Sequence, residues 1–100
     1  MVYAKMGMKI KKLDKRYAGG NLFDYCIDFI HYKDGELFCD IRAWCWETWG
    51  PGRELKFVRS SNDTRWSWLT DGYRTRIYLL GEEEYTWFTL RWSECLRQKN

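Results

Sequence analysis

Residues 36–49 read Glu-Leu-Phe-Cys-Asp-Ile-Arg-Ala-Trp-Cys-Trp-Glu-Thr-Trp, and whether they are helical or extended decides the fold. Leu37, Phe38, Ile41, Trp44, Cys45, Thr48 and Trp49 recur at the i, i+3, i+4, i+7 spacing of a helix with one apolar face. As a strand, the stretch would far exceed the usual length of about 5–6 residues. Asp34 is placed to cap its start, and Gly50-Pro51-Gly52 provides a C-terminal glycine and a stop and nothing more. The spacing predicts a helix. Trp46 lies off its apolar stripe, beside Arg42 and Cys39. A tryptophan away from the core face is a common interface anchor; cation–π cover by Arg42 is the ordinary reading of the same pair.

On the N-terminal side, residues 22–32 (LFDYCIDFIHY) alternate. Phe23, Tyr25, Ile27 and Phe29 fall on one face, and Asp24, Cys26 and Asp28 on the other, the pattern of a half-buried strand. Residues 8–16 read as a charged edge strand, and Ala18-Gly19-Gly20 breaks the chain after it. On the C-terminal side, residues 53–59 (RELKFVR) read as a short strand with Leu55 and Phe57 inward, followed by a polar loop from Ser60 to Thr64. Then RWSWLT, Asp71-Gly72 and YRTRIYLL form a hairpin signal, a two-residue Asp-Gly loop favouring the turn that matches strand twist. That loop places Thr70 opposite Tyr73, Trp68 opposite Thr75 and Trp66 opposite Ile77, with Trp66, Trp68, Ile77 and Leu79 on one apolar side. Glu82-Glu83-Glu84 suits the positive end of a second helix, along which Tyr85, Phe88 and Trp92 keep helical spacing. Phe88, Leu90 and Trp92 also alternate with polar neighbours, so a helical and an extended ending both stay open.

The expectation is an α+β fold: a mostly antiparallel sheet of 4–5 strands with two helices packed on one face. A chain of 100 residues has room for one domain, 1–100, with residues 1–7 loosely tied down and 94–100 frayed. Aromatic residues make up 19 % of it, which supplies a short chain with large apolar area per core position.

Charge narrows the function classes. Residues 1–17 hold Lys5, Lys9, Lys11, Lys12, Lys15 and Arg16 against Asp14 alone, a net +5 that leaves −2 on the rest of a chain whose total is +3. This is a slightly acidic domain with a basic leading stretch, a poor match to a nucleic-acid-binding domain that is basic throughout. No apolar run of the length a secretory signal or a membrane span needs is present. Met8 opens Met-Lys-Ile-Lys-Lys, which reads like the start of a cytosolic protein. Cys26, Cys39, Cys45 and Cys95 form no CxxC pair, and they read as reduced thiols in a cytoplasmic setting.

No catalytic constellation emerges, and no cofactor or metal is implied. His31, the one histidine, falls on the strand face opposite Asp24, Cys26 and Asp28, away from the partners nucleophilic or acid–base chemistry would need. Asp24 and Asp28 are four residues apart on one strand, about 13 Å at 3.3 Å per residue, too far for an acid–base pair. They suit pairing with arginines on a neighbouring strand. The three consecutive glutamates are explained by the helix start without a metal. Two surfaces remain as candidates. One is Trp46 with Arg42. The other is the outer hairpin face, where Arg65, Arg74, Arg76 and Tyr78 would make a stacking and phosphate-contact platform for single-stranded nucleic acid. Salt-bridged, solvated strands are the competing account of that second surface.

Residues 76–93, RIYLLGEEEYTWFTLRWS, carry an apolar strand, an acidic helix start and a Trp87-Phe88-Thr89-Leu90-Arg91-Trp92 ending. This C-terminal third resembles the close of small uncharacterised proteins of tailed bacteriophages, which end in an aromatic-Phe-x-Leu-Arg/Lys-Trp motif. The resemblance implies a phage gene acting inside a bacterial cell and brings no catalytic residues with it. The expected function is a non-enzymatic protein-interaction module, with itself, a host protein or a phage protein as partner. The alternative is single-stranded nucleic-acid binding through the outer face of the 65–80 hairpin.

Overall fold

The 36–49 stretch is helical. In a computed structural model, α1 runs Gly35–Trp49 and buries Leu37, Phe38, Ile41 and Cys45. The structure describes residues 8–14, 20, 22–29, 35–60, 64–71 and 74–96, with only the backbone of 71, 74 and 94–96. Asp34 as a cap, His31, the basic residues Lys15 and Arg16, and the Ala18-Gly19 break lie outside the described residues. Trp44 and Trp49 pack on the margin of the core, while Thr48 is exposed. Gly50 ends the helix as expected: its φ is +90°, a region that favours glycine, and its N–H donates to the Trp46 carbonyl at 2.8 Å.

Five strands form one sheet: β1 (Met8–Lys12), β2 (Tyr25–Phe29), β3 (Arg53–Glu54), β4 (Trp66–Asp71) and β5 (Arg74–Leu79), in spatial order β1-β2-β5-β4-β3. All pairings are antiparallel except β3 with β4. Strands β2 and β3 therefore run the same way, and α1 carries the chain between them across β5 and β4. The second helix, α2 (Glu82–Leu96), follows β5. Both helices cover one face, where Tyr25, Ile27, Phe29, Trp66, Ile77 and Leu79 meet Leu37, Phe38, Ile41, Phe88 and Trp92. The α+β architecture with two helices on one face is thus as the sequence implied. The charged segment starting at Met8 is the edge strand β1, and Met8 itself is fully buried under the helices.

Three expectations need correction. Phe23 precedes β2 and turns to the opposite face, joining Cys26, Tyr78 and Val58 in a second small core. Period-two alternation does not extend beyond the strand that enforces it. The hairpin pairs Trp66 with Leu79, Trp68 with Ile77 and Thr70 with Thr75, two residues from the expected register. A shift of two keeps every side chain on its face, so the apolar side was right although the partners were not. Residues 53–59 are a strand only at Arg53–Glu54; Leu55–Phe57 is a 3-10 turn that exposes Phe57 and buries Val58 instead. Of the two endings the sequence left open, the structure has the helical one: α2 continues to Leu96, with a kink at Trp92 (φ −116°, ψ 20°) where the sequence pattern turned ambiguous.

Gly50-Pro51-Gly52 is also more than a helix stop. The Gly50 carbonyl accepts the Trp66 indole N–H at 2.8 Å, and Gly52 lies directly against the ring. A Cβ on Gly52 would sit 2.5 Å from Trp66 Cε2. The loop is the wall that lets the Trp66 side chain be fully buried with its polar atom satisfied.

Candidate functional site

The residues of the outer hairpin face are engaged elsewhere in the fold. Asp28 stands opposite Arg76 across β2 and β5. Arg76 Nε donates to Asp28 Oδ1 at 2.6 Å, Lys11 Nζ reaches Asp28 Oδ2 at 3.2 Å, and Arg76 Nη1 donates to the Tyr78 hydroxyl at 3.4 Å. Burial disfavours the charged guanidinium of Arg76, but the bonds to Tyr78 and Asp28 and the Asp28 charge outweigh it and raise its pKa. Tyr78 is fully buried, and that burial raises its phenol pKa. No base could stack on it as the side chain stands. Arg65 leans toward α2, where its Nε donates to Glu84 Oε2 at 2.7 Å and its Nη2 lies 3.4 Å from Glu83 Oε2; the hydrogen bond to Glu84 leads in raising its pKa. The Arg74 side chain lies outside the described residues. The open cationic platform expected from Arg65, Arg74, Arg76 and Tyr78 is therefore corrected: two of its three arginines are ion-paired and its ring is in the core. The pairing of Asp28 with an arginine on the neighbouring strand is as expected.

The glutamate run has local work to do. Glu84 reaches back to accept the Gly81 N–H at 3.0 Å, half of a capping box, while holding Arg65. Glu82 accepts the Tyr25 hydroxyl proton, which leads in pushing that phenol's pKa up to about 12. Among the described residues no group of three or more His, Cys, Asp and Glu side chains could hold a metal. The buried thiols are not poised as nucleophiles either. Burial pushes Cys26 up to about 12 and Cys45 upward as well, so both stay protonated at neutral pH. The described cysteines Cys26, Cys39 and Cys45 are free.

Trp46 is different. It is 51 % exposed and stands at the mouth of a groove of about 390 Å³ between α1 and β4, lined by Cys39, Arg42, Ala43, Trp46, Glu47 and Trp68. Arg42 lies over two rings, its Cζ 5.1 Å from the Trp68 centroid and 5.7 Å from that of Phe38. Cation–π cover by Arg42 thus goes to Phe38 and Trp68 and helps form the groove wall. The position of Trp46 beside Arg42 and Cys39 follows from helical spacing. The rest of the groove escaped sequence reading. Trp68 was assigned to the apolar hairpin side, and it does lie there, but only half-buried against the margin of the core. A signal was available in Cys39, Ala43 and Trp46, at i, i+4 and i+7 on α1: two small side chains beside a large one leave a depression. Three other large apolar residues are also exposed, Phe57 at 57 %, Trp87 at 54 % and Leu90 at 74 %.

The chain matches no protein-family model, no curated protein and no solved structure. Among the described residues no helix is long and apolar enough to cross a membrane.

Proposed function

We propose that this chain is a non-enzymatic protein-interaction module, whose groove at Trp46 receives an aromatic side chain on a basic segment of its partner. The carrying observation is the half-exposed Trp46 indole beside a groove backed by a second tryptophan and a ring-stacked arginine. Trp and Arg around a concave site are the composition from which interface hot spots are built. The basic flank follows from charge. Glu36, Asp40 and Glu47 are exposed along the outward side of α1, with Arg42 the one cation among the described α1 residues. The resemblance of residues 76–93 to tailed-phage proteins supports an accessory protein working inside a bacterial cell. Phage structural and regulatory genes on either side of its own would agree with that origin; a purely chromosomal setting would count against it.

A random-peptide display library panned on the protein tests the interaction reading. Selected peptides should share an aromatic residue flanked by Lys or Arg, and Ala43→Arg, which fills the groove from an exposed helix position, should weaken them at least about tenfold. The melting temperature of that variant should stay at the wild-type value. A library yielding no binder, or binders indifferent to Ala43→Arg, overturns the proposal.

A further inference from the structure

The proposed groove calls for an aromatic residue on a rigid basic segment, and this chain displays one of its own. We infer that the groove's occupant is a second copy of the chain, presented by residues 53–59; the inference rests on the groove being an interaction site.

The segment has the shape of a knob. Phe57 projects from the 3-10 turn at 57 % exposure, with Lys56 Nζ 5.4 Å from its ring centroid. Large apolar side chains usually avoid such exposure, and here it does not come from a loose loop. Strand β3, directly before the turn, is paired to β4; Leu55 packs against the second core, and Val58 is buried in it. The Val58 N–H closes the turn on the Leu55 carbonyl at 3.0 Å. Leu55 and Val58, at the two ends of the turn that carries the ring, are thus anchored, and a preorganised ligand loses little freedom when it docks.

Charge matches the knob to the helix face that carries the groove. Arg53, Lys56 and Arg59 against Glu54 give residues 53–59 a net +2. Glu36, Asp40 and Glu47 against Arg42 give the described face of α1 a net −2. Residues Phe57 and Trp46 are both exposed, so the molecule does not fill its own groove with its own knob. Because knob and groove are different patches, the contact is head-to-tail: each copy offers a free knob and a free groove, and assembly proceeds beyond two unless a ring closes. One ring and a charged rim bury much less than the roughly 1,200–2,000 Å² of a stable interface, so the association is weak and weakens further with salt.

Analytical ultracentrifugation from about 10 μM to about 1 mM, the range of weak contacts, reads this directly. Wild type should rise past twice the monomer mass with concentration. Phe57→Ser, which keeps the groove, and Ala43→Arg, which keeps the knob, should each remain monomeric. An equimolar mixture of the two variants should form a dimer and stop there, since only one productive contact is left. Both substitutions are at exposed positions, and unchanged melting temperatures confirm folded proteins. Three results would overturn the inference: a wild type monomeric throughout, a Phe57→Ser variant that associates like wild type, or a mixture that stays monomeric. If wild type is monomeric while displayed peptides still bind in a groove-dependent way, the second copy is ruled out as occupant and the interaction module stands. If the peptides fail as well, both readings fall.

Discussion

Beneath the helices the sheet buries aromatic and aliphatic side chains against one another, whereas its opposite face is closed by no helix among the described residues. There Phe23, Cys26, Tyr78 and Val58 form a small core, with Leu13, Leu22, Leu55, Leu69 and Leu80 at its margin. The same face also holds a polar network in which Asp28 binds Arg76 and Lys11. One face is stabilised by shape, the other by a short apolar layer and a few hydrogen bonds between charged groups. The difference teaches why the outward side of α1 is free for binding. The helix-covered core is satisfied by one stripe of α1, and Trp46 adds nothing to it.

The largest way to break this contrast is at Gly52. On the helix-covered face, Gly52→Ala places a methyl 2.5 Å from Trp66 Cε2 and 2.8 Å from Cζ2. The ring is fully buried and held at its nitrogen by Gly50, so it cannot swing clear without losing that hydrogen bond. The expected cost is about 3 kcal/mol, typical of an overpacked core at its upper end. At about 4–8 °C per kcal/mol for a domain of this size, the melting temperature should fall by at least about 12 °C. A fall of less than about 4 °C, within one kcal/mol, would show that the Trp66 wall yields easily and that shape is not what holds this face.

On the other face, Asp28→Ala is expected to cost about 2 kcal/mol. Removing one partner of a buried pair costs about 3–5 kcal/mol because the remaining charge is stranded. Here the figure is reduced because the Asp28 side chain is 28 % exposed and the Tyr78 hydroxyl still faces Arg76. The double variant Asp28→Ala/Arg76→Met should recover part of the loss, since it strands no charge. Chemical denaturation of both variants measures it. If the double variant is no more stable than the single, the network is not the element that closes this face.

These elements show what the sequence could and could not reveal. The helical stripe of α1 and the alternation of β2, β4 and β5 were legible because each pattern is set by its own backbone period. They gave which side chains share a face even where pairing slid by two residues. Residues 53–59 were misread because a strand of two residues leaves no alternation to detect, and Val58 rather than Phe57 is chosen by the second core. The neutralised hairpin face depends on Asp28 meeting Arg76, a pairing between residues far apart in sequence that only the sheet order decides. Half of the candidate site was legible, Cys39, Arg42 and Trp46 of its six lining residues. Trp68 was not, because alternation gives the face a residue points to and says nothing of where the covering layer ends.

The smallest effect separates adjacent residues on the two faces. Tyr25 and Cys26 are neighbours on β2, one under the helices and one beneath the second core. Both are pushed up to about 12, Tyr25 chiefly by its hydrogen bond to Glu82 and Cys26 chiefly by burial. A raised pKa on an acid means that folding favours the neutral form. The stability each group contributes is therefore complete below its ordinary value and is lost as pH climbs from there to about 12. At pH 7 both groups are neutral in either state, and stability does not vary with them. Above the ordinary thiol value of 9.0 the Cys26 contribution should start to fall, and above the phenol value of 10.0 the fall should steepen as Tyr25 joins, with the buried Tyr78 phenol adding to it. In denaturation curves taken across this range, Tyr25→Phe should flatten the upper part of the decline and leave its onset in place, while Cys26→Ala should make the first part of the decline shallower without moving its onset, which the buried Cys45 thiol, also raised, still sets. Identical curves for both variants would mean that the helix-covered face and the second core respond to alkali as one unit, and the distinction between them would lose its sharpest signature.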